Sequence, residues 1–222
     1  MTTRTNAPET RPDRLSRRNL LSTGASIAGM VGAGLLPRTA FSTETGPMDD
    51  TGITRLLPGF RQQRIKTSGA EINTVVGGSG PPLLLLHGHP QTMVCWHKVA
   101  PALAGNFTVV ITDLRGYGDS SKPDGGPDHA GYSKREMARD QMEVMRQLGF
   151  PRFAAVGQDR GGRVLPRLLL DHPDAVTKAA VLDIAPTATM YAKVTKDFAT
   201  RYMWWFFLIQ PAPLPETLIG NN

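Results

Sequence analysis

Val156-Gly157-Gln158-Asp159-Arg160-Gly161-Gly162-Arg163 decides how this chain is read. It joins an apolar run, Phe153 to Val156, to a helical one, Gly161 to Asp171. Within it, Gly157-Gln158-Asp159-Arg160-Gly161 sets a small residue two places either side of a central side chain, the pattern of a sharp strand-to-helix elbow. Such a turn tolerates little beyond glycine at its flanks and lifts the middle side chain to the mouth of a sheet. The helix N-terminus that follows favours an anion there. Where serine is usual, this elbow holds a carboxylate. Aspartate ionises well below neutral pH, so it needs no base to activate it. It can displace a leaving group from an sp³ carbon and form an ester. The plain alternative is a helix-start aspartate favoured by the dipole alone; the five-residue pattern directly after a strand speaks for a nucleophile.

Strand and helix signals alternate on both sides of the elbow. Arg61 to Gly69 and Ala70 to Gly78 read as two strands joined at Ser68-Gly69. Leu83 to Leu86 is a fully apolar run, as expected of a strand covered on both faces. Phe107 to Thr112 and Ala179 to Ile184 read as further strands, and Cys95 to Ala104 as a helix. Ser133 to Leu148 reads as a helix opened by a capping box, Ser133 with Glu136 three residues on. This alternation predicts a mostly parallel sheet with helices on both faces, over residues 61–185. After Pro186 the chain turns aromatic and helical, and residues 186–222 read as a separate helical layer.

The N-terminal residues have a different character. Residues 1–42 hold six arginines against Glu9 and Asp13, so +4 of the total net charge of +6 lies there. Ser16-Arg17-Arg18-Asn19-Leu20-Leu21 precedes a Gly/Ala-rich apolar run, with small residues at Ala40 and Ser42. This order is that of a bacterial export signal and resembles the twin-arginine type, which implies a periplasmic or secreted product. A membrane anchor or a mis-assigned start codon, with a cytoplasmic product, are the alternatives. The run is too short and glycine-rich for a good spanning helix, so no stable membrane association is expected after export. Residues 43–60 read as a linker. The rest of the chain has no basic cluster with interleaved aromatics, which argues against nucleic acid. One cysteine, Cys95, excludes an intrachain disulfide framework.

Three more segments lie at strand ends: His87-Gly88-His89-Pro90, Asp113-Leu114-Arg115-Gly116-Tyr117-Gly118-Asp119-Ser120, and Val181-Leu182-Asp183-Ile184. With the elbow, they resemble an α/β-hydrolase of the branch that includes epoxide hydrolases and dehalogenases. The likeness spans roughly residues 61–220. Asp159-Arg160-Gly161-Gly162-Arg163 is closest to the haloacetate (fluoroacetate) dehalogenases. The resemblance implies Asp159 as nucleophile and Asp183 as the acid that orients a histidine. It implies an oxyanion hole from the backbone N–H groups of His89 and Arg160, where the family usually has phenylalanine in place of His89. Arg160 and Arg163 would clamp the substrate carboxylate through charge-assisted bonds. Tyr202 to Pro211 resembles the family's aromatic cap segment, in which a His-Trp pair donates to the halide. Trp205 matches the tryptophan and Trp204 stands where the histidine is expected.

Other readings stay open beside these. Asp183 could be a turn or cap residue. His87 and His89 could be read as metal ligands, although no acidic partner has ligand spacing. Both tryptophans could be cap core.

No metal, nucleotide or organic cofactor is expected; Gly77-Gly78-Ser79-Gly80 leads into Pro81-Pro82, not into a helix. The expected partner is a small anionic haloacid, and a homodimer is left open. None of the histidines, His87, His89, His97, His129 and His172, follows Asp183, and the strands that complete this fold are not in the chain. The sequence therefore predicts the front portion of the fold with the start of its cap. It predicts at most one turnover, with the ester trapped on Asp159. The competing readings are an epoxide hydrolase-like enzyme, with Tyr191 and Tyr202 as cap phenols, and a non-catalytic truncated product.

Overall fold

The computed structural model describes residues 52–220. The leader expected over 1–42, and the part of the expected linker before Gly52, lie outside the described residues. In chain order the described elements begin with α1 (Gly52–Leu56), β1 (Phe60–Lys66), β2 (Glu71–Gly77), β3 (Pro82–Leu86), α2 (Ala100–Leu103) and β4 (Thr108–Thr112). Then come α3 (Lys134–Gln147), β5 (Phe153–Gln158), α4 (Arg160–Asp171) and β6 (Val176–Leu182). Four short helices follow: α5 (Thr187–Ala192), α6 (Lys196–Arg201), α7 (Met203–Phe207) and α8 (Leu214–Ile219).

The six strands form one open sheet in the order β1-β2-β4-β3-β5-β6. β2 runs antiparallel to β1 and β4, whereas β4, β3, β5 and β6 are mutually parallel. The apolar run of β3 explains its central place. Leu84 and Leu86 enter one core with Val110, Met137, Met142, Val164 and Leu165, under α3 and α4. Leu83 and Leu85 enter the opposite core with Leu57, Val75, Trp96, Val109 and Ile111. A strand covered on both faces must be apolar at every position, and this one is.

Two expectations need correction. The helix expected over Cys95 to Ala104 is broken into a 3-10 turn, Met93–Trp96, and the single turn of α2. Pro101 is the reason: it has no N–H, and inside a continuous helix its ring would meet the carbonyl four residues back, so it fits only in a first turn. The second concerns the expected linker over 43–60, whose end is structured: Gly52–Leu56 is helical, Leu57 is fully buried and Phe60 opens β1. α3 starts as its sequence predicts. Ser133 caps it by accepting the Glu136 amide at 3.3 Å, although the Glu136 carboxylate turns to Arg139 and does not close the reciprocal half of the box.

The topology fixes where a ligand can go. From β3 the chain steps to β4 on one side, then crosses back to β5 on the other. At such a reversal the loops leaving adjacent parallel strands diverge and open a crevice beyond their C-terminal ends. His87-Gly88-His89-Pro90 leaves β3, the Asp113–Ser120 loop leaves β4, and Asp159 leaves β5. These segments meet there.

Candidate active site

Asp159 sits between β5 and α4 with φ 44° and ψ −109°, a conformation that a side chain with a Cβ rarely adopts. Close packing holds it there. A Cβ added to Gly157 would come within 2.6 Å of the Gly162 nitrogen, and one on Gly161 within 2.7 Å of the Leu86 Cβ. Only glycine fits at either position, so the elbow can press against β3. The Asp159 N–H donates to the Leu182 carbonyl at 3.1 Å and the Gly161 N–H to the His87 carbonyl at 2.9 Å, tying the turn to its neighbours on both sides. Strain of this kind is typical of a functional residue held by its surroundings.

The Asp159 carboxylate accepts the His89 backbone N–H at 2.9 Å. Arg160 opens α4, so its amide belongs to the first turn, where helix geometry leaves N–H groups without intrahelical partners. The two amides expected to form an oxyanion hole therefore flank the carboxylate.

The two histidines of the β3 loop differ. His87 is fully buried: its Nδ1 pairs with the Gly88 carbonyl at 2.7 Å and its Nε2 accepts the Leu114 N–H at 3.0 Å. Both ring nitrogens are taken by backbone, and burial pushes its pKa below the usual histidine value. His87 is a strut between the β3 and β4 loops. His89 is exposed; partial burial and then the Arg160 charge lower its pKa. Its Nδ1 lies 3.0 Å from the Tyr117 hydroxyl. Among the described residues, no group of three or more His, Cys, Asp or Glu side chains is placed to hold a metal ion.

Arg160 and Arg163 both reach the crevice, and among the described residues neither forms an ion pair with a carboxylate. The Arg163 guanidinium stacks 3.7 Å from the centre of the Trp205 ring. It donates to the Thr187 hydroxyl at 2.8 Å and to the Met190 sulfur at 3.0 Å, while its Nε is buried with no partner. A half-buried cation with an unused donor and a weak sulfur acceptor is short of an anion. Burial lowers its pKa from the ordinary arginine value. Trp205 is half-buried on this arginine, whereas Trp204 is 58% exposed and meets Phe207 edge-on. Asp183 follows β6 with φ 50°, one place beyond the register pair Gln158–Leu182, so it stands beside Asp159 at the same end of the sheet. Its side chain is exposed.

Two site residues escaped the sequence reading. Tyr117 supplies the hydroxyl to His89, and its ring lies 5.7 Å below the Arg160 guanidinium carbon. Lys134, the first residue of α3, is half-buried and feels the charges of Arg160, Arg163 and Asp159. Burial, reinforced by the two arginines, lowers its pKa to about 8. Nothing near Lys134 in the sequence signals this, because it arises from the packing of α3 on α4.

Comparison with known proteins agrees with this fold. The alpha/beta hydrolase fold family matches residues 81–211, and the chain belongs to that family. It is 57% identical over 167 residues to a fluoroacetate dehalogenase of Burkholderia sp, covering 75% of this chain and 55% of that one. It is 43% identical over 119 residues to a soluble epoxide hydrolase of Corynebacterium sp. (strain C12), covering 54% of this chain and 40% of that one. A crystal structure from Nostoc sp PCC 7120, provisionally named an alpha/beta hydrolase, superimposes with a TM-score of 0.70 at 62% identity, covering 73% of this chain and 56% of that one. The chain thus spans about half the length of the curated relatives it matches. No described helix is long and apolar enough to cross a membrane.

Proposed function

We propose that this site performs the displacement step of haloacetate dehalogenation. The observation that carries the reading is the elbow: a carboxylate held at φ 44° beside two arginines that, among the described residues, no carboxylate pairs. Arg160 and Arg163 hold the carboxylate of the haloacid. An Asp159 oxygen attacks the adjacent carbon from the side opposite the halogen; a C–O bond forms, the C–X bond breaks, and halide leaves with the electron pair. The product is a carboxymethyl ester on Asp159. In the second step water attacks the ester carbonyl, the His89 and Arg160 amides stabilise the oxyanion, and glycolate and a proton are released. We assign Asp183, beside Asp159 at the strand ends, to orienting a base for that step. The Trp205 indole is the halide donor that the packing favours; Trp204 faces solvent. Displacement of chloride, which needs less help from donors than fluoride, therefore fits this site best. Displacement by a carboxylate nucleophile needs no cofactor. Export by a twin-arginine leader remains part of the proposal and is tested by fractionating cells that express the chain with residues 16–21 altered.

The experiment is to incubate the chain with chloroacetate and to map adducts by mass spectrometry while halide is followed. One carboxymethyl group on Asp159, with one halide released for each, is expected, and neither in Asp159→Asn. Identical behaviour of the two proteins would sink the reading. The likeness to an epoxide hydrolase favours one runner-up, a carboxylate-bearing epoxide, with the Tyr191 phenol near Arg163. Ring opening of glycidate that outpaces chloroacetate displacement would favour it.

A further inference from the structure

We infer that Tyr117 is a positioning residue that sets Arg160 and His89 around Asp159 and so gives the site its preference for anionic over neutral substrates. The inference rests on the haloacid reading above and adds a residue to it.

The loop after β4 is built to present this side chain. Asp113 is buried and anchors the loop: its carboxylate accepts the Met93 N–H at 2.7 Å, the Asn73 amide at 2.9 Å and the Asp119 N–H at 3.0 Å. Ser120 donates its hydroxyl to the Asp113 carbonyl at 2.7 Å, closing the loop on its own start. Gly116 and Gly118, on either side of Tyr117, have φ of 83° and 47°. A Cβ on Gly118 would fall 2.5 Å from the Asp113 carboxyl carbon, so the loop curls too tightly for any other residue.

At the tip, Tyr117 touches three residues of the site by three different parts of its ring. Its edge-on contact with His87 has a centroid distance of 5.2 Å. Its hydroxyl lies 3.0 Å from His89 Nδ1, on the residue whose amide binds Asp159. Its face carries the Arg160 guanidinium carbon at 5.7 Å. A tyrosine that served packing alone would not place its hydroxyl and its π face on two separate site residues. The ring quadrupole attracts the cation and so competes with Asp159 for the guanidinium. Among the described residues, no carboxylate pairs with Arg160 to hold it otherwise.

The test compares two probes that share the reacting carbon and the leaving group, chloroacetate and the neutral chloroacetamide. Asp159 alkylation is followed by peptide mapping, since exposed Cys95 also reacts with such reagents. Concentration dependence separates half-saturation from the limiting rate. In Tyr117→Leu, half-saturation by chloroacetate is expected to rise by about five- to tenfold while that of chloroacetamide stays put, an effect of the size a cation–π contact contributes. Tyr117→Phe, which keeps the π face, is expected to recover most of it. A general packing defect would slow both probes alike, leaving their ratio unchanged, and that result overturns the assignment. Should Tyr117→Leu not fold, Tyr117→Met reads the same ratio without a π face. If the wild-type chain leaves Asp159 unmodified, the displacement reading falls. Tyr117 is then judged by calorimetry with glycolate, where wild-type binding retained in the leucine variant overturns the assignment and weakened binding upholds it.

Discussion

Lys134 adds a third cation to a site that already holds two arginines and one carboxylate, and its charge is the adjustable one. Its pKa is lowered to about 8 from 10.5, by burial first and then by Arg160 and Arg163 on α4, with Asp159 acting in the opposite sense. A bound anion favours the protonated form. Affinity for a small carboxylate such as glycolate should therefore be flat below about pH 8 and fall as the ammonium loses its proton above it. Titration calorimetry from pH 6.5 to 9.5 checks this, and Lys134→Met should flatten the profile at the weaker, high-pH level. A profile unchanged in the variant would remove Lys134 from the site. The sign for stability is opposite. The charged form is the one that burial disfavours, so folding is penalised below about 8 and the penalty is relieved as pH rises from there towards 10.5.

Much of the scaffold was legible because its segments carry local signals. The apolar β3, the alternation of strands with helices, and the Ser133 cap all appear where their residues predict them. The elbow was legible for the same reason: Gly157 and Gly161 flank Asp159 within five residues. Replacing Ser133 by alanine should remove one cap bond from α3 and cost about 1 kcal/mol, read as a lower melting temperature. Since α3 carries Lys134 at its first position and packs on α4, the same variant should weaken glycolate binding slightly more at pH 7 than at pH 9. What the sequence hid is long-range. The contacts of Arg163 with Thr187 and Met190 span 24 and 27 residues, and Tyr117 meets His89 across 28. Those pairings depend on the chain reversing its direction across β3, and no short motif records that. The helix expected over Cys95 to Ala104 failed at a local signal that was misweighed, since Pro101 permits a helix to begin near it but not to run through it.

The parts of the molecule are joined beneath the site by a buried ion pair. Arg115 donates to both oxygens of Asp140, at 2.6 and 2.7 Å, and the two residues are 2% and 0% exposed. Thr67, from the turn between β1 and β2, donates its hydroxyl to the same carboxylate at 2.7 Å, and Arg115 reaches the Gly131 carbonyl at 2.6 Å. One network thus links the β1–β2 hairpin, the β4 loop, the turn before α3 and α3 itself. Taking two charges out of water is costly, so the pair is poor evidence of net stabilisation by itself. Breaking it is another matter. Asp140→Asn leaves a buried guanidinium without its counter-ion, which should cost about 3–5 kcal/mol, seen as a lower urea midpoint with little change in slope. Arg115 lies two residues before Tyr117 in the loop that presents the tyrosine, so the loss should reach the site as well. At urea concentrations where the variant is still folded, chloroacetate should saturate more weakly relative to chloroacetamide. Thr67→Val serves as the control, because it removes one hydroxyl from the network and leaves both charges paired. It should lose stability by a smaller amount, about 1–3 kcal/mol for a carboxylate left short of one donor, and keep the wild-type probe ratio. If Asp140→Asn lost stability without altering that ratio, the network would be holding the fold together without directing the loop.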